Sequence, residues 1–164
     1  MRVSVKNENM NINLRDAIPA DETFLFEVYA STRSEELEGI GWDENQKHTF
    51  LKMQFLARER SYPKVDNRII LLNGSAVGRI LVDRTEAAIR LIDIALLTEY
   101  RNAGIGSRLI KHLIKESTDS RRPLKLRVRS ASSAMRLYER LGFCMSGNDA
   151  VYSEMIWIPP VVAS

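Results

Sequence analysis

The sequence has one cysteine and two histidines among its 164 residues, and these shortages exclude several kinds of site. A single thiol forms no intramolecular disulfide and no cysteine cluster around a metal. The spacing of histidine, aspartate and glutamate also indicates no metal site. We interpret the lone cysteine, Cys144, as a packed thiol, because a free cysteine behaves as a small hydrophobic residue.

The sequence also lacks a long apolar run and a concentrated basic region. Without an apolar run, no segment is expected to span a membrane, and the N-terminus shows no signal-peptide core. The formal charge of +3 is spread along the chain, whereas nucleic-acid-binding proteins carry a basic patch or stripe. The sequence therefore predicts a cytoplasmic protein with neither a membrane nor a nucleic acid as a partner.

Length and composition predict a single globular domain. Hydrophobic residues make up 45% and charged residues 27% of the chain, both ordinary values for such a domain. Residues 1–11 are polar and without periodicity, so we expect a flexible tail there. The predicted domain covers residues 12–158, and a short C-terminal tail covers residues 159–164.

Hydrophobic periodicity predicts a mixed sheet with helices on both faces. The expected order is a strand, two helices, three or four strands, a helix, a strand, a helix and a last strand. Asn73-Gly74 marks a hairpin turn within the group of strands. The second helix is expected from about Asp43 to Arg60, and its predicted inner side carries Phe50, Met53, Leu56 and Ala57.

The most informative segment joins a buried strand to a helix through a turn with two glycines. The strand, residues 89–97, is long and apolar, and the helix begins at Gly104. Glycine lets the backbone approach a ligand, and the unpaired N–H groups of a helix start favour a pyrophosphate. Arg101 adds a positive charge and Ser107 a hydroxyl donor. The alternative is an ordinary connection whose glycines only permit the sharp turn.

Two known phosphate-binding loops do not fit this segment. Leu109 stands where the third glycine of a Rossmann dinucleotide fingerprint would be, so that fold is disfavoured. No Gly-Lys-Ser/Thr follows the glycines, which excludes a Walker-type loop.

Two blocks of the sequence resemble the GCN5-related N-acetyltransferase (GNAT) superfamily. Arg101, Gly104 and Gly106 match the family's Gln/Arg-x-x-Gly-x-Gly/Ala motif, which follows a long strand. Residues 134–143 are similar to the family's Ala-x-x-Leu-Tyr-x-x-x-Gly-Phe block. The resemblance implies the α/β GNAT fold, in which a mostly antiparallel sheet has two splayed parallel strands and helices on both faces.

Two positions depart from the family pattern. Ala131 and Ser132 stand where an asparagine commonly precedes the second block, and Thr98 stands where a proline often precedes the acid–aromatic pair of the first. We expect Ser132 to replace part of the lost hydrogen bonding and to cap the following helix. Neither departure removes a group that the chemistry requires.

The resemblance also implies a site for acetyl-coenzyme A (acetyl-CoA) as co-substrate, with no metal. In the family the pantetheine arm enters the gap between the parallel strands, here residues 89–97 and 124–128, and backbone N–H groups polarise the thioester carbonyl. The implied cofactor-binding residues are Ile94, Ala95, Leu96, Arg101, Asn102, Ala103, Gly104, Ile105, Gly106 and Ser107.

Two residues are candidates for the catalytic groups. Tyr138 matches the family tyrosine that protonates the leaving sulfur, and an ordinary pKa near 10 suits a proton donor at neutral pH. Its alternative role is packing on the inner face of its helix. Asp93 lies inside an apolar strand, where an ionisable group is costly unless it is used or paired. It is a candidate base or amine-binding group, and a structural carboxylate is the alternative.

The connector between the first two helices is the candidate acceptor-binding segment, because it covers the acceptor pocket in GNAT proteins. It carries Glu35, Glu36 and Glu38, followed by Trp42. Acidic groups beside an aromatic ring would suit a cationic amine. The alternative is a solvated loop with Trp42 packed into the core.

The resemblance thus implies an N-acetyltransferase that moves an acetyl group from acetyl-CoA to a primary amine of a small molecule or peptide, by direct attack in a ternary complex. Two other functions stay open. One is a non-catalytic module that binds acyl-CoA, and the other is transfer to an oxygen or of a longer acyl chain. Dimers are common in the family, so the resemblance is compatible with a homodimer.

Overall fold

A computed structural model describes residues 10–161, which form seven strands and four α-helices. The strands are β1 (Ile12–Asp16), β2 (Asp66–Leu72), β3 (Ser75–Arg84), β4 (Ile89–Leu96), β5 (Leu124–Arg129), β6 (Cys144–Asn148) and β7 (Tyr152–Trp157). The helices are α1 (Glu22–Arg33), α2 (Glu44–Ser61), α3 (Ile105–Ser120) and α4 (Ala134–Arg140). Most of the predicted N-terminal tail and half of the C-terminal one lie outside the described residues.

The strands form one mixed sheet in the order β1-β2-β3-β4-β5-β7-β6. β1 pairs antiparallel with β2, and β7 pairs antiparallel with both β5 and β6. β4 and β5 run parallel, and their register covers Ile89–Leu91 opposite Leu124–Leu126. Within the described residues this pairing ends at Leu91, although β4 continues to Leu96. The predicted mixed sheet with splayed parallel strands is confirmed.

The described chain divides into two compact units, and β3 and β4 contribute residues to both. The first unit comprises residues 10–80 and Ile94–Ala103, and the second comprises Leu81–Asp93 and residues 104–161. The single domain expected over residues 12–158 stays a prediction.

In the first unit, α1 and α2 bury their apolar sides against β2. The buried cluster consists of Leu25, Tyr29, Leu37, Leu51, Phe55 and Ile69. A capping box starts α2, in which the Asp43 carboxylate accepts from the Gln46 N–H at 2.8 Å and the Gln46 side chain accepts from the Asp43 N–H at 3.0 Å. This reciprocal pair satisfies N–H groups that a helix start otherwise leaves unpaired.

The predicted inner side of α2 is wrong. Leu51 and Phe55, four residues apart, are the buried pair, whereas Met53 is 68% and Leu56 is 36% exposed. Phe50 is half-buried and Ala57 is exposed. Apolar residues occupy more than one side of this helix, so periodicity alone does not select a face. Packing against α1 and the sheet selects it.

In the second unit, α3 buries Leu109, Ile110 and Leu113 on its inner face. The edge strand β6 was not predicted, because its sequence Cys-Met-Ser-Gly-Asn has no apolar alternation. Its hydrogen bonds to β7 define it, with a register shift between Met145 and Gly147. Cys144 is exposed on this strand, so the prediction of a packed thiol is wrong.

Two kinds of feature are absent from the described residues, a membrane-spanning helix and a metal-binding cluster. No described helix combines the length and the hydropathy that a membrane span needs. Within residues 10–161, no group of three or more histidine, cysteine, aspartate or glutamate side chains is arranged to hold a metal ion.

A buried ion pair attaches α2 to β3 in the first unit. Arg79 on β3 is 3% exposed, and its guanidinium donates to both carboxylate oxygens of Glu59 and to Asn67 Oδ1 at 3.0 Å. Breaking such a pair is costly, because the remaining charge stays buried without compensation.

We predict that Glu59→Ala lowers the free energy of unfolding by about 3 kcal/mol, because Arg79 loses its counter-charge. This is the lower end for a broken buried pair, since 27% of the Glu59 side chain is exposed. Urea denaturation followed by circular dichroism would measure the loss. Glu44→Ala is the control on the same helix, because the Glu44 side chain is 93% exposed. Equal losses in the two variants would contradict the prediction.

Candidate functional site

The Arg-x-x-Gly-x-Gly turn ends in a helix start whose N–H groups are available to an anion. Asn102 and Gly104 adopt left-handed backbone conformations, with φ of 60° and 87°. Gly104 is the N-cap of α3, and no side chain caps this helix. The first bond within the helix runs from the Arg108 N–H to the Gly104 carbonyl. The N–H groups of residues 105–107 therefore have no acceptor in the helix, an arrangement that binds phosphate groups.

The Arg101 side chain is engaged within the first unit. Its Nε donates to the Leu96 carbonyl at 3.0 Å, and its Nη2 donates to Ser31 Oγ at 3.2 Å. The Ser31 hydroxyl in turn donates to the Val28 carbonyl at 2.7 Å. A guanidinium has five N–H donors, so others stay available to a ligand. That Arg101 also assists a pyrophosphate stays a prediction.

The end of β4 approaches β3 closely at a glycine that sequence reasoning did not single out. A Cβ at Gly78 would collide with the Ala95 carbonyl oxygen and would lie 3.1 Å from Leu96 Cα. The Leu97 N–H donates to the Val77 carbonyl at 2.9 Å on the same stretch of β3. A glycine inside a strand is the signal that could have indicated this close approach.

Tyr138 is positioned by the way α4 ends. The Phe143 N–H donates to the Tyr138 carbonyl at 3.0 Å, and the Gly142 N–H donates to the Glu139 carbonyl at 3.1 Å. These two bonds, with Gly142 at φ 101°, define a Schellman motif. The Tyr138 and Phe143 rings pack with their centroids 5.6 Å apart. The spacing Tyr-x-x-x-Gly-Phe is therefore the spacing of a helix end that holds a tyrosine in place.

At the other end of α4 the N-cap residue is Ser133, whose side chain makes no capping bond, so the expected cap by Ser132 is replaced by a bond from one residue further out. The Ser132 hydroxyl accepts a hydrogen bond from the Ala134 N–H at 3.1 Å. This bond satisfies one of the N–H groups that the helix start leaves unpaired. Side-chain and backbone bonds thus define both ends of the short helix that carries Tyr138.

Tyr138 and Asp93 both lie in the second unit, close enough for the charge of Asp93 to act on the Tyr138 phenol. Tyr138 is 7% exposed. Burial of the phenol raises the pKa of Tyr138 to about 12, and the negative charge of Asp93 contributes to the increase. Because burial disfavours the phenolate, Tyr138 keeps its proton at neutral pH. Packing of Tyr138 is therefore shown, and it is compatible with the proton-donating role, which stays a prediction.

The acidic connector is solvent-facing and its aromatic residue is packed. Glu35, Glu36 and Glu38 are exposed, and Glu36 Oε2 lies 4.0 Å from Arg33 Nη1. Trp42 is half-buried against the first unit's core and packs edge-on to Phe50 with ring centroids 5.2 Å apart. A role for these residues in binding an acceptor stays a prediction.

We predict that Gly142→Ala lowers the free energy of unfolding by roughly 1–2 kcal/mol, because a side chain at positive φ is strained. The new Cβ would also lie 3.2 Å from Trp157 Nε1. Chemical denaturation would measure the change. Gly39→Ala is the control, since Gly39 has no positive φ and no atom within 4 Å of the added Cβ. A Gly142→Ala protein as stable as the control would contradict this account of the helix end.

We also predict that Asp93→Asn lowers the pKa of Tyr138 below its value of about 12, because the variant removes a negative charge that disfavours the phenolate. An alkaline titration of tyrosinate absorbance, referenced to Tyr138→Phe, would isolate this residue. Asp83→Asn, also on a strand of the second unit, is the control. An unchanged or higher pKa in Asp93→Asn would contradict the prediction.

Comparison with known proteins gives one family and a set of similar folds. A family model described as the acetyltransferase (GNAT) domain matches residues 30–161. A search of curated protein sequences gave no significant match.

Several solved structures share this fold at low sequence identity. The PaiA N-acetyltransferase from Thermoplasma acidophilum, solved in complex with coenzyme A, is 19% identical, with a TM-score of 0.68, covering 91% of this chain and 99% of that chain. PH1933 from Pyrococcus horikoshii OT3 is 19% identical, with a TM-score of 0.69 and coverages of 92% and 100%. The ribosomal-protein-S18-alanine N-acetyltransferase from Escherichia coli is 18% identical, with a TM-score of 0.64 and coverages of 93% and 97%.

Proposed function

This chain belongs to the GNAT acetyltransferase family, and from that premise we propose that it transfers the acetyl group of acetyl-CoA to a primary amine of a small molecule or peptide. The observation that carries the proposal is the buried, protonated Tyr138 within electrostatic reach of Asp93. A module that only bound acyl-CoA would need neither an acid nor a base. The pair is what an acyl transfer to an amine requires.

Acetyl-CoA is the proposed co-substrate. The start of α3 supports this choice, because its free N–H groups and helix dipole favour a pyrophosphate. The coenzyme A in the Thermoplasma acidophilum structure supports it as well. In this proposal residues 104–107 bind the pyrophosphate, and Asn102 and Ala103 shape the turn that leads to it.

The acetyl carbonyl needs a hydrogen-bond donor where negative charge develops. We assign this role to the backbone of residues 94–96, because β4 has no partner in β5 beyond Leu91 among the described residues. Because β5 supplies no acceptor for this stretch within the described residues, the N–H groups on that side of the strand are the proposed donors to the ligand. A preorganised donor of this kind lowers the barrier by about 3–4 kcal/mol.

The proposed reaction starts when the neutral amine attacks the thioester carbonyl carbon. A tetrahedral intermediate forms, its nitrogen gives up a proton to Asp93, and the carbon–sulfur bond breaks. Tyr138 donates its proton to the departing sulfur, which leaves as the thiol of coenzyme A. The phenolate then regains a proton from Asp93, and the two groups return to their initial states.

The charge of Asp93 links the two proton transfers. A phenol with a pKa of about 12 is a weak acid toward a thiolate, whose thiol has an ordinary pKa near 8.5. When Asp93 takes up the amine proton, its negative charge disappears and one cause of the raised pKa is removed. Protonation of the base therefore makes Tyr138 a stronger acid at the step that needs one.

The proposed acceptor is a primary amine that is cationic before it binds. The exposed carboxylates of Glu35, Glu36 and Glu38 support this assignment, because they would attract an ammonium group. Trp42 packs against Phe50, so its contribution would be to hold the connector in shape. The amine must lose its proton before attack, since only the neutral form is nucleophilic.

We predict that Tyr138→Phe lowers kcat at least roughly 100-fold, the usual contribution of a general acid, with little change in acetyl-CoA affinity. A screen of amines with acetyl-CoA would identify the acceptor used for kcat, and calorimetry would give the Kd for acetyl-CoA. Tyr62→Phe, at a 39% exposed tyrosine, is the control.

The outcomes of this experiment separate the proposed functions. Loss of turnover with intact binding supports Tyr138 as the acid, whereas unchanged turnover removes it from the mechanism. Tight binding without turnover on any amine would favour a non-catalytic acyl-CoA-binding module. Failure of the folded parent protein to bind acetyl-CoA would overturn the proposed function.

A further inference from the structure

The peptide that joins Leu96 to Leu97 is held from two sides in the first unit. Its N–H, from Leu97, donates to the Val77 carbonyl on β3 at 2.9 Å. Because a trans peptide is planar, the Leu96 carbonyl on the same peptide faces the opposite way. There it accepts from Arg101 Nε at 3.0 Å. Both polar groups of this peptide are therefore bound, one by β3 and one by a side chain.

The preceding peptide is oriented by its contact with Gly78. The Ala95 carbonyl oxygen lies where a side chain at position 78 would stand, so this carbonyl faces β3. The Leu96 N–H, on the same peptide, consequently faces away from β3. The bonds from the Leu97 N–H to Val77 and from Arg101 to the Leu96 carbonyl hold the adjacent peptide, so they restrict the orientation of the Leu96 N–H most directly. In the proposed reaction it is one of the groups that polarise the acetyl carbonyl.

Arg101 connects this part of β4 to α1. While Nε binds the Leu96 carbonyl, Nη2 donates to Ser31 Oγ at 3.2 Å. Ser31 is not a freely rotating partner, because its hydroxyl donates to the Val28 carbonyl at 2.7 Å. The planar fork of a guanidinium binds two acceptors at a fixed separation, which an ammonium group on a flexible stem does not reproduce.

We propose that Arg101 and Ser31 are positioning residues that orient the Leu96 peptide, so that the Arg101 side chain acts on the rate of acetyl transfer through β4. This inference rests on the proposed function. It differs from a role for Arg101 as a phosphate-binding charge, which acts on acetyl-CoA affinity. The positioning role predicts a lower kcat with little change in Kd, whereas phosphate binding predicts a raised Kd with little change in kcat.

Ser31 and Thr32 provide a matched pair of variants. Both hydroxyls donate to the carbonyl three residues earlier in α1, Ser31 to Val28 and Thr32 to Tyr29 at 2.8 Å. Among the described residues, only the Ser31 hydroxyl also accepts from Arg101. Ser31→Ala and Thr32→Ala therefore remove equivalent bonds within α1. Only Ser31→Ala also removes the bond to Arg101, which connects α1 to β4.

We expect Ser31→Ala to lower kcat roughly tenfold, because small misplacements of a catalytic group reduce rates by up to about 100-fold. The Kd for acetyl-CoA, measured by calorimetry, is expected to stay within about twofold of the parent. Thr32→Ala should change neither quantity. A loss of kcat equal in the two variants would overturn the inference.

Arg101→Lys separates the charge from the fork. It keeps the positive charge and removes the paired donors, so we expect kcat to fall at least as much as in Ser31→Ala while Kd changes little. The double variant Ser31→Ala/Arg101→Lys should be no slower than Arg101→Lys alone, because both changes break the same link between α1 and β4 through Arg101. A raised Kd with unchanged kcat in Arg101→Lys would assign Arg101 to phosphate binding instead.

Amide hydrogen exchange provides a readout that needs no acetyl transfer. Faster exchange of the Leu97 N–H in Ser31→Ala, with unchanged exchange in Thr32→Ala, would support the positioning of this peptide by Arg101 and Ser31. This holds even if the protein acetylated no amine. Such a result with an inactive parent would contradict the proposed function alone. Unchanged Leu97 exchange in both Ser31→Ala and Arg101→Lys would overturn the positioning role alone.

Discussion

The structure depends on how the hydrogen bonds of β4 are distributed along the strand. Its first residues pair in parallel with β5, and this pairing ends at Leu91 within the described residues. Near its other end, β4 lies so close to β3 that only a glycine, Gly78, fits opposite Ala95. Bonds from the Leu97 N–H and to the Leu96 carbonyl then hold its last peptide. The strand is thus held by β5 at its start and by β3 and Arg101 at its end, and between these points it has no β5 partner among the described residues.

Two short segments that follow β4 in the chain have related physical roles. The turn after β4 places Gly104 in a left-handed conformation and so opens α3 with unpaired N–H groups. The end of α4 places Gly142 in a positive-φ conformation and so positions Tyr138 against Phe143. In each case a glycine supplies a backbone conformation that other residues adopt only with strain, and a candidate functional group follows from it. The two family blocks are therefore local folding signals as well as chemical ones.

The errors of sequence reasoning have a common physical origin in contacts between distant residues. The inner face of α2 was assigned to Met53 and Leu56, yet Leu51 and Phe55 are buried. Strand β6 was missed, and Cys144 was expected to be packed, because an edge strand is defined by its hydrogen bonds to β7 more than by its own composition. In each case the outcome depends on contacts with residues distant in the sequence, which the local sequence pattern does not contain.

The sequence by itself determined the features that short-range physics controls. Asn73-Gly74 turns the β2–β3 hairpin with φ of 50° and 86°, and Gly142 ends α4, because these conformations depend on the residues themselves. Only the tertiary structure decided which groups meet. The close approach at Gly78, the pairing of Arg101 with Ser31, and the raised pKa of Tyr138 all depend on residues far apart in the chain. Burial and hydrogen bonding act through space, so a linear pattern names the candidates and folding determines their neighbours.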